Sequence, residues 1–279
     1  MSDTSILLSG LAIGESPRWH EDRLWFSNWG TQEIIALDTD GAGEVMMRVP
    51  TTVPFSIDWL PDGTLLVVQG PEALLLRQER DGALVPYADL GPIAKGWNEI
   101  VVDRRGFTYV NGSDFDFMGG GPFVPGLIAL VTPDGVVRQV ADGIEFGNGM
   151  VVTPDGGTLI VAESFASRLT AFDIAADGGL SNRRVWAQLE TGPDGICLDA
   201  EGAVWAASMG RCVRVREGGE ILGQVVVPEG LSCFACALGG ADRRTLFVMA
   251  AQWLGVENMF GPDRTGQVRT TRVAVPGIA

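Results

Sequence analysis

The sequence predicts an all-β fold, a six-bladed β-propeller with four-stranded blades, and three observations predict it. One unit, an apolar strand followed by a short polar turn and a second apolar strand, recurs six times: SPRWHEDRLWFSN, SIDWLPDGTLLVV, EIVVDRRGFTYVN, GMVVTPDGGTLIVAE, GICLDAEGAVWAAS and CALGGADRRTLFVMA. The second strands begin at Leu24, Leu65, Phe107, Leu159, Val204 and Leu246, so successive units lie 41, 42, 52, 45 and 42 residues apart. A strand-only repeat at about 40–50 residues is the period of a propeller blade. No sustained i, i+3, i+4, i+7 apolar stripe with caps competes with it.

Each element follows from local chemistry. The strands are rich in β-branched and aromatic residues. Between them stand Asp-Gly and similar turns, and the 38 glycines among 279 residues are nearly twice the usual share of about 7 %. The long third spacing is explained by a Gly/Pro/aromatic insertion at 113–125 (SDFDFMGGGPFVP). A long irregular loop of this kind is expected to shape a binding mouth. The tail GQVRTTRVAVPG reads as a strand that pairs with the N-terminal segment and closes the ring. Six units without a Pro/Ser-rich linker leave room for one domain, 1–279.

Charge narrows the partners. With 20 Lys+Arg against 35 Asp+Glu, the formal charge is −15, which argues against nucleic acid, whose affinity comes from basic patches, and against anionic membranes. The opening segment has no basic n-region and no apolar run of 18 residues occurs, so a cytoplasmic protein is expected. It is expected to act as a monomer or weak homo-oligomer on a small molecule. Cys233 and Cys236 have redox or zinc half-site spacing, but no second pair completes it. On a regular strand they face opposite sides, so they are expected to be structural thiols, with Cys197 and Cys212. His20 is the only histidine, which leaves no Ser-His-Asp, Cys-His or His-rich zinc chemistry. It follows Glu15 by five residues, roughly 16 Å along a strand at about 3.3 Å per residue, and is expected near the other end of the channel.

The innermost strands of a propeller line its channel, so equivalent positions meet in space. The starts of the six first strands carry Glu15, Ser56, Asn98, Asn148, Asp194 and a residue near Ser232 or Cys233. Asp194 is the internal test. Three Pro-Asp-Gly triplets, at Pro61, Pro133 and Pro154, sit where hairpin turns belong, whereas Pro193-Asp194-Gly195 precedes a strand whose own turn is Ala200-Glu201-Gly202. Bland alternatives stand beside each assignment: a capping Asp, an ordinary Asn-Gly turn at Asn148, a strand-end Asn98, a loop acid at Glu15. Taken together, Glu15, Asn98, Asn148 and Asp194 offer hard oxygen donors for one divalent cation. Such oxygens suit Ca²⁺, Mg²⁺ or Mn²⁺, and accept Fe²⁺ and Zn²⁺ as well. Four side chains leave coordination sites open for water and substrate.

GESPRW, WNEIVVDRRG, NGMVVTPDGGTLIVAES and PDGICLDAEGAVWAAS resemble segments of the gluconolactonase/regucalcin (senescence marker protein) family, over essentially the whole chain. The resemblance implies a six-bladed propeller that binds a divalent cation, often calcium, and hydrolyses lactones. It implies Glu15, Asn148 and Asp194 as metal ligands, Asn98 at the metal and on substrate, and Asp194 also as general base. Sugar-lactonase members carry an arginine two residues before Asn98 that holds substrate hydroxyls. Gly96 stands there instead, between Lys95 and Trp97, and a glycine cannot replace a guanidinium fork. Trp97, Phe115 and Phe165, with Asn98 and Gly96, are therefore expected to meet substrate, and the Phe115–Phe123 cluster points to a less polar ligand.

The leading expectation is hydrolysis of a lactone, a sugar lactone or a less polar cyclic ester, with the ion polarising the carbonyl and either Asp194 or a cation-activated hydroxide as base. The alternatives are an organophosphate or fluorophosphate hydrolase on the same site, and a non-catalytic propeller that presents its face to a partner.

Overall fold

The computed structural model describes residues 4–117, 119–255, 258 and 261–278. Six four-stranded antiparallel sheets form a six-bladed β-propeller. The first strand, β1 (Ser5–Leu11), belongs to the last blade. Blade 1 is β2 (Gly14–His20), β3 (Arg23–Asn28), β4 (Glu33–Leu37) and β5 (Gly43–Arg48). Blade 2 is β6 (Phe55–Trp59), β7 (Leu65–Gln69), β8 (Leu74–Gln78) and β9 (Leu84–Asp89). Blade 3 is β10 (Gly96–Val102), β11 (Thr108–Ser113), β12 (Gly126–Val131) and β13 (Val137–Ile144). Blade 4 is β14 (Gly147–Val152), β15 (Thr158–Glu163), β16 (Arg168–Ile174) and β17 (Leu180–Gln188). Blade 5 is β18 (Ile196–Leu198), β19 (Val204–Ser208), β20 (Arg211–Val215) and β21 (Ile221–Val226). Blade 6 is β22 (Ser232–Gly239), β23 (Thr245–Ala251), β24 (Gly266–Arg272) and β1.

The predicted second strands match β3, β7, β11, β15, β19 and β23 to within a residue. Ring closure also follows the sequence reading. β1 pairs antiparallel with β24, and Arg269 ties the two ends by donating to the Thr4 hydroxyl at 2.7 Å and the Thr4 carbonyl at 2.8 Å.

The core lies between blades. Six clusters of buried apolar side chains fill the six interblade interfaces, for example Leu66, Leu75, Trp97 and Val110 between blades 2 and 3, and Phe26, Phe247 and Met249 between blades 6 and 1. The second strands are covered on both faces, as in β7 and β19, where every residue is buried. They therefore read as continuous apolar runs. Outer strands such as β5 are largely exposed.

The turns behave as the sequence predicts. Gly63 donates its N–H to the Leu60 carbonyl, and Gly202 donates to that of Asp199. Both glycines have positive φ, which a residue without Cβ adopts at no steric cost.

Four of the innermost strands are bulged. The register of β2, β10, β14 and β22 against its neighbour shifts between Glu15 and Arg18, Trp97 and Ile100, Gly147 and Met150, and Cys233 and Ala235. A bulge sets two residues against one and re-aims side chains. In β2 it accompanies a left-handed Ser16, φ 50°.

Candidate functional site

The starts of the inner strands bring the predicted polar set together in two pairs, Asn98 with Asn148 and Glu15 with Asp194. Asn98 donates its amide N–H to the Gly147 carbonyl at 3.2 Å and to Asn148 Oδ1 at 3.4 Å. Asn148 in turn donates to Ser164 Oγ at 3.5 Å. Gly149 donates its N–H to the Asp194 carbonyl at 3.2 Å, so Asn148-Gly149 is the meeting of two blades and not a hairpin turn. Glu15 is close enough to Asp194 to feel its charge, and both feel that of Glu99.

Two glycines make this approach fit. A Cβ on Gly149 would lie 2.5 Å from the Ile196 nitrogen and 2.9 Å from the Asp194 carbonyl oxygen. One on Gly195 would lie 2.5 Å from Ala235 Cβ and 2.7 Å from its Cα. Asp194 itself is fixed from both sides. Its N–H donates to the Ala207 carbonyl at 2.8 Å, and the next N–H, of Gly195, donates to Phe234 in blade 6 at 2.7 Å. Pro193-Asp194-Gly195 therefore stands outside turn duty, as its phase in the sequence predicts.

Braces run from blade to blade. Ser56 donates its hydroxyl to the Asn98 carbonyl at 2.7 Å, Asn111 its amide to the Asn148 carbonyl at 2.6 Å, and Ser164 its hydroxyl to the Pro193 carbonyl at 2.7 Å. Ser16 donates to Glu99 at 2.9 Å and accepts from the Ile57 N–H at 3.0 Å. The site is thus held by side chains of different blades, and its geometry depends on the closed ring.

The electrostatics are unbalanced in a definite way. Burial, then the Asp194 and Glu99 carboxylates, push Glu15 well above the ordinary carboxylate range. Burial, then Glu99, then the Cys236 sulfur, push Asp194 up in the same way. Arg18 lies within ion-pair reach of Glu99 at 3.6 Å and Asp58 at 3.8 Å, and donates to the Ile100 carbonyl at 2.7 Å. Among the described residues neither Glu15 nor Asp194 has an ion-pair partner within 4.0 Å. Although Asp194 as a whole keeps partial access, its Oδ1 is fully buried and has no hydrogen-bond partner among the described residues. A buried acceptor without a donor is costly, and two buried carboxylates near one another require a cation or a proton. Those oxygens, with two carboxamides, suit a hard divalent cation. No three His, Cys, Asp or Glu side chains among the described residues form a ready cage. The donor set is two acids completed by amides.

Several residues differ from the sequence expectation. Trp97 does not face the mouth: it is 1 % exposed, lies in the core between blades 2 and 3, and donates its indole N–H to the Ala94 carbonyl at 3.0 Å. The bulge after it is the reason, since it turns Trp97 inward and leaves Asn98 and Glu99 side by side. Gly96 is half-buried, and a side chain there would meet only the Ser113 carbonyl, at 3.2 Å. Cys233 and Cys236 do not face opposite sides. The bulge between Cys233 and Ala235 puts both in the core between blades 5 and 6, where they pack with Cys212. Cys197 Sγ lies 3.7 Å from Cys236 Sγ, and all four thiols are free. His20 ends β2, stacked on Trp59 with ring centroids 4.1 Å apart.

Phe115 and Phe165 do come together, at 6.1 Å between ring centroids, and they gather Phe117, Phe123 and Phe146 around them. Sequence phase did not single out Glu99, Arg18, Asn111, Ser164 or Phe146. The Asn98-Glu99 doublet was the available signal, because adjacent polar residues inside an apolar strand break a strict alternation.

Comparison with known proteins agrees with this architecture. The chain is 30% identical over 291 residues to regucalcin of Pongo abelii, covering 98% of this chain and 95% of the relative. Three solved structures share the fold. A luciferin-regenerating enzyme superposes with a TM-score of 0.84 at 20% identity, covering 100% of this chain and 98% of its own. A calcium-binding protein, regucalcin, from Agrobacterium tumefaciens gives 0.80 at 21% identity, with 99% and 96% covered. A gluconolactonase from Xanthomonas campestris gives 0.78 at 20% identity, with 99% and 90% covered. Residues 13–252 match the family described as SMP-30/Gluconolactonase/LRE-like region, and this chain belongs to that family.

Proposed function

We propose that the protein hydrolyses a lactone or similar cyclic ester with one divalent cation, calcium first, held by Glu15, Asn98, Asn148 and Asp194. The observation that carries this reading is that, among the described residues, the buried Asp194 Oδ1 has no hydrogen-bond partner and no cation stands within ion-pair reach of it or of the neighbouring buried Glu15. Membership of a family named for gluconolactonase supports the reaction class. The calcium-binding regucalcin that shares the fold supports the ion.

A divalent cation at this site supplies a Lewis acid that polarises a carbonyl and stabilises the charge that develops on its oxygen. The chain's own residues do the rest. Asp194, with one oxygen free of protein donors, orients the attacking water and takes its proton. Asn98, oriented by Gly147 and Asn148, contacts the substrate from blade 3, two blades from Asp194. Phe115 and Phe165 flank the entrance, while Gly96 leaves open space beside Asn98. Trp97 fixes the β10 backbone from the core and does not touch substrate. Arg18 pairs with Glu99 at 3.6 Å next to the two acids, and among the described residues no cation stands within ion-pair reach of Glu15 or Asp194 themselves.

The test is a metal-titrated hydrolysis screen over sugar, alkyl and aryl lactones, with Asp194→Asn and Glu15→Gln as variants. Turnover should require the added cation and vanish in both variants, while their circular dichroism stays that of the wild type. Full turnover in chelator-treated protein would end the proposal.

A further inference from the structure

Five phenylalanines from three separate segments form one wall at the channel mouth. Phe115, Phe117 and Phe123 come from the 113–125 insertion, Phe146 from the residues between β13 and β14, and Phe165 from the β15–β16 connection. Phe146 and Phe165 stack with centroids 4.5 Å apart and planes 6° from parallel. Phe117 packs on Phe146 at 5.2 Å, Phe123 on Phe165 at 5.1 Å and Phe115 on Phe123 at 5.4 Å. A cluster built only for stability would be buried. Here Phe165 is 51 %, Phe123 40 % and Phe117 38 % exposed. Apolar rings held together yet open to water mark a binding surface.

The wall is joined to the polar site through the backbone. Phe146 stands two residues before Asn148, and Phe165 directly follows Ser164, whose hydroxyl accepts from Asn148 and donates to the Pro193 carbonyl. Phe146 also holds a left-handed backbone, φ 60°, which a bulky aromatic residue rarely adopts. Two backbone bonds keep it there: Phe146 donates to the Ile144 carbonyl at 3.0 Å, and Ser164 donates to the Phe146 carbonyl at 3.0 Å. Backbone strain of this kind is retained at sites where a side chain must be presented in one direction. The strained residue here presents a ring to the wall and leads directly into Asn148.

We propose that this wall is the specificity subsite of the enzyme, and that it selects a lactone whose ring carries an apolar group, aryl or alkyl, over a polyhydroxylated sugar lactone. The inference rests on the lactonase reading and deepens it. Its physical basis is that aromatic faces reward apolar area removed from water, while a sugar's hydroxyls would lose water against five rings that return no hydrogen bond.

The experiment compares kcat/KM for dihydrocoumarin, an alkyl-substituted δ-lactone and glucono-δ-lactone in the calcium-loaded wild type, Phe165→Ala and Phe123→Ala. The wild type should favour the two apolar lactones by at least about tenfold, within the range one pocket group can supply. Each alanine variant should cut that preference about tenfold, mainly through KM, and Phe165→Leu should restore part of it. The second readout needs no turnover: calorimetric titration with the lactam analogue of dihydrocoumarin, which should bind the wild type and bind Phe165→Ala about tenfold more weakly. A wild-type preference for glucono-δ-lactone, or equal losses on all three substrates in the alanine variants, would overturn the inference and leave the lactonase reading standing. Lactam binding that depends on Phe165 in a protein that hydrolyses none of the lactones would keep the subsite and end the lactonase reading.

Discussion

Replacing Gly149 by alanine separates the role of interblade contact from that of strand geometry. The added Cβ would sit 2.5 Å from the Ile196 nitrogen, 2.8 Å from Gly195 Cα and 2.9 Å from the Asp194 carbonyl oxygen. Ordinary contact begins at 3.4 Å, so blades 4 and 5 must part by 3.4 − 2.5, or about 0.9 Å, since backbone cannot rotate aside as a side chain can. The movement falls between Asn148 and Asp194 and stretches the 3.2 Å bond from the Gly149 N–H to the Asp194 carbonyl. Overpacking of this kind costs about 1–3 kcal/mol, and a displacement near 1 Å at a reacting centre can cost about 10²-fold in rate. Gly223→Ala in β21 is the control, because its Cβ meets nothing within 4 Å. The assay is urea unfolding together with calcium titration and lactone kcat/KM on both variants. Gly149→Ala should lose affinity for calcium and about two decades of kcat/KM, while Gly223→Ala stays within about 0.5 kcal/mol of wild type. A Gly149→Ala protein with undiminished calcium affinity and turnover would refute the argument that this contact sets the site.

Three further outcomes follow from the same structure. Saturating calcium, at about 100 times its Kd, should add about 2.7 kcal/mol by mass action and raise Tm by about 5 °C; Asp194→Asn should show no such rise in a thermal scan. Trp97→Ala should cost about 3–5 kcal/mol by emptying the interblade core, whereas Trp97→Phe should leave the ranking of lactone substrates unchanged, which competition kinetics would check. At Glu163, burial pushes the carboxyl up, but bonds from Arg168, the Glu145 N–H and Thr170 outweigh it and hold it below its ordinary 4.5. A depressed carboxylate contributes stability that is complete above its unfolded value and lost as pH falls through the folded one. Glu163→Gln should therefore cost about 2 kcal/mol at pH 7, discounted for its partly exposed Arg168 and Arg183 partners. That deficit should shrink toward zero in denaturant titrations taken well below pH 4.5.

Much of the molecule was legible because blade repetition writes the same strand-turn-strand phase six times. That phase located β3, β7, β11, β15, β19 and β23, the closure by residues 266–272, and the strand-start positions from which Asn98 meets Asn148 and Glu15 meets the charge of Asp194. Asp194 was legible for a particular reason: its Pro-Asp-Gly triplet fell where no hairpin turn was needed. What strict alternation could not carry were the bulges. A single extra residue in β10 sends Trp97, expected on substrate, into the core and sets Glu99 against Ser16. The same device in β22 brought Cys233 and Cys236 to one side. Phe146 was hidden differently, since a positive φ on an aromatic residue has no signature in composition or period.

The pair of uncompensated acids at the channel mouth is the foundation of the account, and crystallography with calcium tests it most directly. A crystal grown in calcium should show one ion per chain, at about 2.3–2.6 Å from carboxylate oxygens of Glu15 and Asp194 and from Oδ1 of Asn98 and Asn148. A channel that holds only water at that position, with calcium bound elsewhere or not at all, would contradict the account.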